Sequence, residues 1–188
     1  MIKLVIFDMD GVLIDSEPLH ELSRQEIYKK YNISVTNSSP AIGKSKRVYY
    51  EEITKDIGLN KTPEELTVEE FDILLKMCIE KNLQPTKGLI ELLNYLKENN
   101  FKIAIASSSD RSFVEGIVNF IKIEKYIDYI VTGTDEKKLK PFPDLYLNVL
   151  NHFNYSSNEA LAIEDSTTGS QAAQAAKIKC VGYQDPNV

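Results

Sequence analysis

The chain has 188 residues, 43% of them hydrophobic and 27% charged. Those proportions suit a soluble globular protein with one sizeable core, or a core domain carrying a small insert. Acidic residues outnumber basic ones by 28 to 22, for a net charge of −6, which argues against nucleic acid as a partner. No apolar run approaches the ~18–20 residues of a membrane span, and the N-terminus lacks the basic region and cleavage site of a signal peptide. A cytoplasmic monomer with no membrane partner is the expectation.

Residues 2–7 form an almost unbroken apolar run that stops at Asp8, Asp10 and Gly11, the pattern of a strand buried on both faces. Side chains alternate along a strand, so Asp8 and Asp10 point the same way as the chain leaves it. Gly11 permits a tight turn there. Two carboxylates that close repel unless a cation or a shared proton relieves them. Ser16 is placed to cap a helix that opens at Glu17-Pro18 and runs to about Asn32, with Leu19, Leu22 and Ile27 apolar. Residues 35–40 read as polar loop, and a second helix follows Gly43 with Val48, Ile53 and Ile57 on its apolar face. Thr62 to Glu65 and Thr67 to Glu70 both match a capping box, the second leading into the stripe Phe71, Leu74, Leu75, Cys78 and Ile79. Residues 16–84 therefore read as a helical insert without strands.

From residue 85 helices alternate with strands. The helices are expected at 88–99, 111–121, 144–153 and 168–177, the strands at 102–107, 129–132, 160–163 and 179–183. With the first strand this makes five, and the alternation implies a parallel sheet with helices on both faces. The fold class is α/β, a Rossmann-like parallel core of residues 1–15 and 85–188 with the helical block inserted after the first strand. Cys78 and Cys180 sit in apolar contexts and read as buried thiols, not as a disulfide or metal pair.

Functional groups in such a sheet collect at the carboxyl ends of the strands. The first strand delivers Asp8 and Asp10. The second delivers Ser107, Ser108 and Ser109 ahead of a helix, where hydroxyls and backbone N–H groups can hold an oxyanion. The third is followed by Lys140 in a Pro-stiffened loop, and the fourth by Glu164 and Asp165. The acids offer hard oxygen ligands for Mg²⁺, Lys140 and Ser107 offer donors to a phosphoryl group, and a carboxylate can accept that group as an aspartyl-phosphate.

The string from Asp8 to Glu17, DMDGVLIDSE, closely resembles the first motif of the haloacid dehalogenase superfamily, in its β-phosphoglucomutase-like subgroup. The superfamily's other motifs, a Ser/Thr ending the second strand, a Lys and a terminal acidic pair, follow in order at Ser107, Lys140 and Glu164-Asp165. The resemblance implies that Asp8 is the nucleophile and Asp10 the general acid/base, and that Ser107 and Lys140 hold phosphate. It implies Asp165 as a Mg²⁺ ligand, Glu164 as a ligand or the orienter of a metal-bound water, and a metal contact from the Asp10 backbone carbonyl. Dehalogenases of the superfamily lack the acid at Asp10, so its presence implies phosphoryl transfer. The helical block corresponds to the family's cap, with His20 and the run Gly43-Lys44-Ser45-Lys46-Arg47 as candidate substrate contacts.

Three departures from the family pattern stand out. Lys177 and Leu139 occupy positions where Gly is usual, and the chain stops at Val188 where relatives continue with a further strand and helix, as a fragment or a lost sheet edge would. The expected activity is a Mg²⁺-dependent phosphatase acting on a small phosphorylated metabolite such as a sugar phosphate. A phosphomutase is the alternative, with Lys44 and Lys46 gripping a second phosphate. Asp110 stands where β-phosphoglucomutase carries a lysine, which argues against that grip even with Arg111 beside it. Residues 15–20 also resemble the sugar-phosphate phosphatases more than the mutase. A non-catalytic phosphometabolite binder is the third reading, and the retention of Asp8, Asp10, Lys140 and Asp165 argues against it.

Overall fold

The computed structural model describes residues 1–34, 46–55 and 59–183. They fall into two compact units, Met1–Ser16 with Leu83–Val188, and Glu17–Asn82. Among the described residues no helix is long and apolar enough to cross a membrane.

The first unit is built on β1 (Leu4–Phe7), whose four residues are all buried. After the second unit the chain continues through α4 (Leu89–Glu98), β2 (Lys102–Ala106), α5 (Arg111–Phe120) and β3 (Tyr129–Val131). It closes with α6 (Asp144–Phe153), β4 (Ala160–Glu164), α7 (Thr167–Ala175) and β5 (Lys179–Gly182). All strands pair in parallel in the order β3-β2-β1-β4-β5, the Rossmann-like α/β arrangement the alternation implied. Phe7 is level with Ile105 on one side and Ile163 on the other, so the loops after β1, β2 and β4 leave the sheet at one edge. The strand order reverses beside β1, the point where open sheets of this kind form a crevice.

One sheet face is paved with small residues. Ala104, Ala106, Ala160 and Ala162 meet Ala172, Ala173 and Ala176 around α7, while Leu145, Tyr146 and Val149 of α6 fill the space beside them. Alanine on both sides removes the bulk that would otherwise hold a helix away from a sheet. On the opposite face Val5, Phe7, Ile103 and Ile105 are equally buried, as are Leu93 of α4 and Phe113, Val114 and Ile117 of α5. At the edge, β5 exposes Lys179, Val181 and Gly182.

The second unit contains α1 (Glu17–Tyr31), α2 (Lys46–Thr54) and α3 (Pro63–Glu80), with α3 packed on both others. Ile27, Ile33, Tyr50 and Leu66 form its core. The Thr62–Glu65 capping box is present in full, with Pro63 in the first turn of α3. The second expected box does not start a helix: the Thr67 hydroxyl donates to the Pro63 carbonyl inside the same helix, and Glu70 is buried. The apolar face of α2 also differs from expectation. Tyr49 and Tyr50 are buried while Val48 is exposed, because the Tyr50 hydroxyl reaches the Glu70 carboxylate at 2.6 Å and carries its ring inward. Leu22 and Ile79 are likewise exposed, and Ile57 lies outside the described residues.

Both cysteines are free, Cys78 buried and Cys180 half-buried. Of the two departures at usual glycine positions, Lys177 matters to the backbone. It ends α7 in the left-handed region, φ +61, with its N–H bonded to the Gln174 carbonyl. A Cβ is disfavoured there, and glycine has none. Lys177→Gly should therefore raise stability by about 0.5–1 kcal/mol, read as a higher urea midpoint with an unchanged slope. A lower midpoint would show that the side chain's own contacts outweigh the strain.

Candidate active site

Asp8 is the first residue after β1, and the body of the sheet surrounds it. Its Oδ1 accepts from Lys140 Nζ at 2.6 Å, and the same ammonium lies 2.6 Å from Glu164 Oε1. Lys140 comes from the loop before α6, where the Lys140–Pro141 peptide is cis, and Glu164 ends β4. Asp8 and Glu164 are buried, and with half-buried Asp165 they bring carboxylate oxygens within 4.8 Å of one another. Lys140 thus bridges two buried carboxylates, with a third close by. Burial first, and then the Glu164 charge, raises Asp8 well above the usual carboxylate range against the opposing pull of Lys140. For Lys140, burial alone would lower the pKa, but Asp8 and Glu164 outweigh it and hold the ammonium protonated. Three carboxylates gathered this closely offer a hard-oxygen donor set that fits a divalent cation such as Mg²⁺.

Two glycines make room for these acids. Gly11 turns the chain after Asp10 at φ +78, and a Cβ there would lie 1.9 Å from Asp165 Oδ2. In α7, a Cβ on Gly169 would lie 1.9 Å from Glu164 Oε2. The turn is therefore needed for more than its φ.

Asp10, half-buried, is clamped by serines. Ser16 Oγ donates to Oδ1 at 2.5 Å and Ser109 Oγ donates to Oδ2 at 2.7 Å. Ser16 immediately precedes α1 as expected of a cap, yet its hydroxyl is committed to Asp10. Buried Ser107 accepts from the Ser109 N–H at 3.1 Å, so that N–H is not open to an oxyanion as expected. Ser108 is exposed. The residue capping α5 is Asp110, whose carboxylate accepts from the Ser112 N–H and from Thr134 Oγ1. Arg111 does not answer that charge; it pairs with Asp135 and Glu115.

Sequence reasoning missed Ser16 and Tyr146 as site residues, and assigned Ser109 to an oxyanion rather than to Asp10. Tyr146 of α6 is fully buried, and its hydroxyl donates to Glu164 Oε1. Burial and the Glu164 charge hold it far above the usual phenol range, so it acts as a neutral donor. Cys180 of β5 is pushed up to about 11 by burial and Glu164, which leaves it an unreactive thiol.

The remaining candidates lie in the helical unit. His20 is half-buried in α1. The Lys46 ammonium turns inward to pair with buried Glu70, which also takes Tyr50 and has Arg24 Nε at 3.8 Å. Lys44 lies outside the described residues.

Residues 5–183 match the family model described as haloacid dehalogenase-like hydrolase. The chain belongs to that family. Among relatives of this hydrolase, YhcW of Bacillus subtilis, provisionally named a phosphatase, is 34% identical over 96% of this chain and 83% of its own length. A Thermotoga maritima protein named phosphorylated carbohydrates phosphatase is 28% identical over 94% of this chain and 82% of its own. The crystal structure of a β-phosphoglucomutase from Clostridium difficile superposes with a TM-score of 0.81 at 24% identity. It covers 100% of this chain and 86% of that one, which shows a shared fold.

The haloacid dehalogenase-like site depends on the space at Gly169. Glu164 cannot yield easily to a new methyl group, because Lys140 and Tyr146 both hold its Oε1. Gly169→Ala should cost about 1–3 kcal/mol, the scale of a disrupted buried hydrogen bond. Chemical denaturation would measure this, and an unchanged midpoint would show that the carboxylate moves freely.

Proposed function

We propose that this protein is a Mg²⁺-dependent phosphatase of small phosphorylated metabolites, working through an aspartyl-phosphate on Asp8. The observation that carries the reading is the convergence of Asp8, Lys140, Glu164 and Asp165 at one sheet edge, with Asp10 held two residues from Asp8. Asp165 sets a third carboxylate beside the two that Lys140 bridges, completing a hard-oxygen donor set.

Asp8 attacks phosphorus with a carboxylate oxygen. The bond from phosphorus to the ester oxygen breaks, and Asp10 gives its proton to that leaving oxygen. Asp10, now a carboxylate, takes a proton from the water that attacks the acyl phosphate, and inorganic phosphate leaves Asp8 free. Lys140 and Ser107 hold the phosphoryl oxygens. Asp8, Asp165 and Glu164, the last directly or through water, would hold the metal, which supplies positive charge against the phosphate. The Ser16 and Ser109 clamp fixes the orientation of Asp10, so that proton transfer needs no search among rotamers.

The commitment of Lys46 to Glu70 supports the phosphatase over the phosphomutase. A mutase must grip a second phosphate while its intermediate turns over, and a lysine already neutralised by a buried glutamate is a poor grip. Asp110 adds negative charge near the start of α5. The name of the Thermotoga maritima relative favours a phosphorylated carbohydrate as substrate. His20 and Lys44 are proposed as substrate contacts.

Phosphate release from a panel of phosphorylated metabolites, with and without Mg²⁺, tests the reading. Asp8→Asn should abolish turnover with the fold intact, and Asp10→Asn should lose roughly 10²–10⁴ in rate. Near-normal release by Asp8→Asn would overturn the covalent route. A chelator should stop the reaction, and Asp165→Ala should raise the Mg²⁺ requirement steeply. Full activity in chelator would remove Asp165 as a ligand. With β-glucose 1-phosphate and a trace of its bisphosphate, isomerisation outpacing phosphate release would establish the mutase instead.

A further inference from the structure

We infer that Tyr146 is a positioning residue for Glu164, holding its carboxylate in place for the divalent cation while Lys140 is engaged elsewhere. This rests on the Mg²⁺-dependent reading of the site. Three observations lead to it. First, Tyr146 lies among Leu145, Val149 and the alanines of the sheet face, a fully buried apolar setting that a phenylalanine ring would fill equally well. A hydroxyl is costly there unless it is bonded, and this one donates to Glu164 Oε1.

Second, the other strong donor on Oε1 is Lys140, which is shared. The same ammonium lies 2.6 Å from Asp8 Oδ1, and phosphate binding would draw it further from Glu164. Third, the contact that Oε2 makes among the described residues is a long one, 3.5 Å from Ser166 Oγ, near the limit of a hydrogen bond. When Lys140 turns to phosphate, the Tyr146 hydroxyl is the close donor that still fixes the carboxylate. Partners of metal-binding side chains commonly alter metal affinity in this way without touching the ion.

Tyr146→Phe deletes one oxygen and keeps the ring, so it isolates the hydroxyl. Mg²⁺ affinity is measured on the full chain by titration calorimetry and by the rise of Tm with Mg²⁺, both independent of turnover. The expected result is a loss of affinity of about tenfold, with Tm in the absence of Mg²⁺ within a few degrees of the parent. The Mg²⁺ concentration for half-maximal activity should rise in parallel, while kcat at saturating Mg²⁺ stays within about threefold. In a Glu164→Gln background, adding Tyr146→Phe should change Mg²⁺ affinity by less than twofold, since the partner is already altered. Affinity within twofold of the parent for Tyr146→Phe alone would overturn the inference, as would an equal loss in both backgrounds. A parent protein that binds no Mg²⁺ would instead overturn the metal reading beneath it.

Discussion

Lys140 placed between two buried carboxylates is the constraint on which the core unit turns. Asp8 and Glu164 end adjacent strands, and parallel pairing of β1 with β4 leaves them side by side. Without a cation between them, the sheet edge would bury like charges at short range. One ammonium relieves the pair, and Asp165 brings a third carboxylate close to it. That gathering of acids, costly in a folded protein, is what makes this edge a candidate to hold a metal ion and a phosphate together.

The groups proposed to react were legible in the sequence because strand ends are legible. An apolar run that stops at an acid names both the strand and the residue delivered, which is how Asp8, Asp10, Glu164 and Asp165 could be placed from the chain alone. Lys140 was found through the motif order, since a single lysine in a loop carries no periodic signal. Ser16 and Tyr146 were not found, and the hold of Ser109 on Asp10 was not foreseen. Serine before a helix reads as a cap whichever way its hydroxyl turns, and a tyrosine at a core position of α6 reads as an aromatic core residue. What distinguishes them is a partner elsewhere in the chain, and no local pattern encodes that.

The helical unit shows the same limit. Its helices were readable from capping residues and apolar spacing, but their inward faces were not fully so. Glu70, written into the sequence as the end of a capping box, is instead the buried acid about which Tyr50, Lys46 and Ser23 gather. Burying a carboxylate requires cations and donors from other helices. That requirement draws Lys46 inward and turns Tyr50 of α2 toward the core. A charged residue thus set the register that hydrophobicity alone had assigned to Val48.

The alanine-paved face beneath α7 carries a consequence beyond packing. Gly169 and Ser166 ride on that helix or at its start, and both meet the Glu164 carboxylate. The helix sits as low as its alanines allow, so a bulkier side chain at Ala162 or Ala172, well away from any reacting atom, would lift the helix and slacken the walls around Glu164. Substitution at these core positions therefore offers a graded control over the proposed metal site, one that leaves every acid and the lysine unaltered.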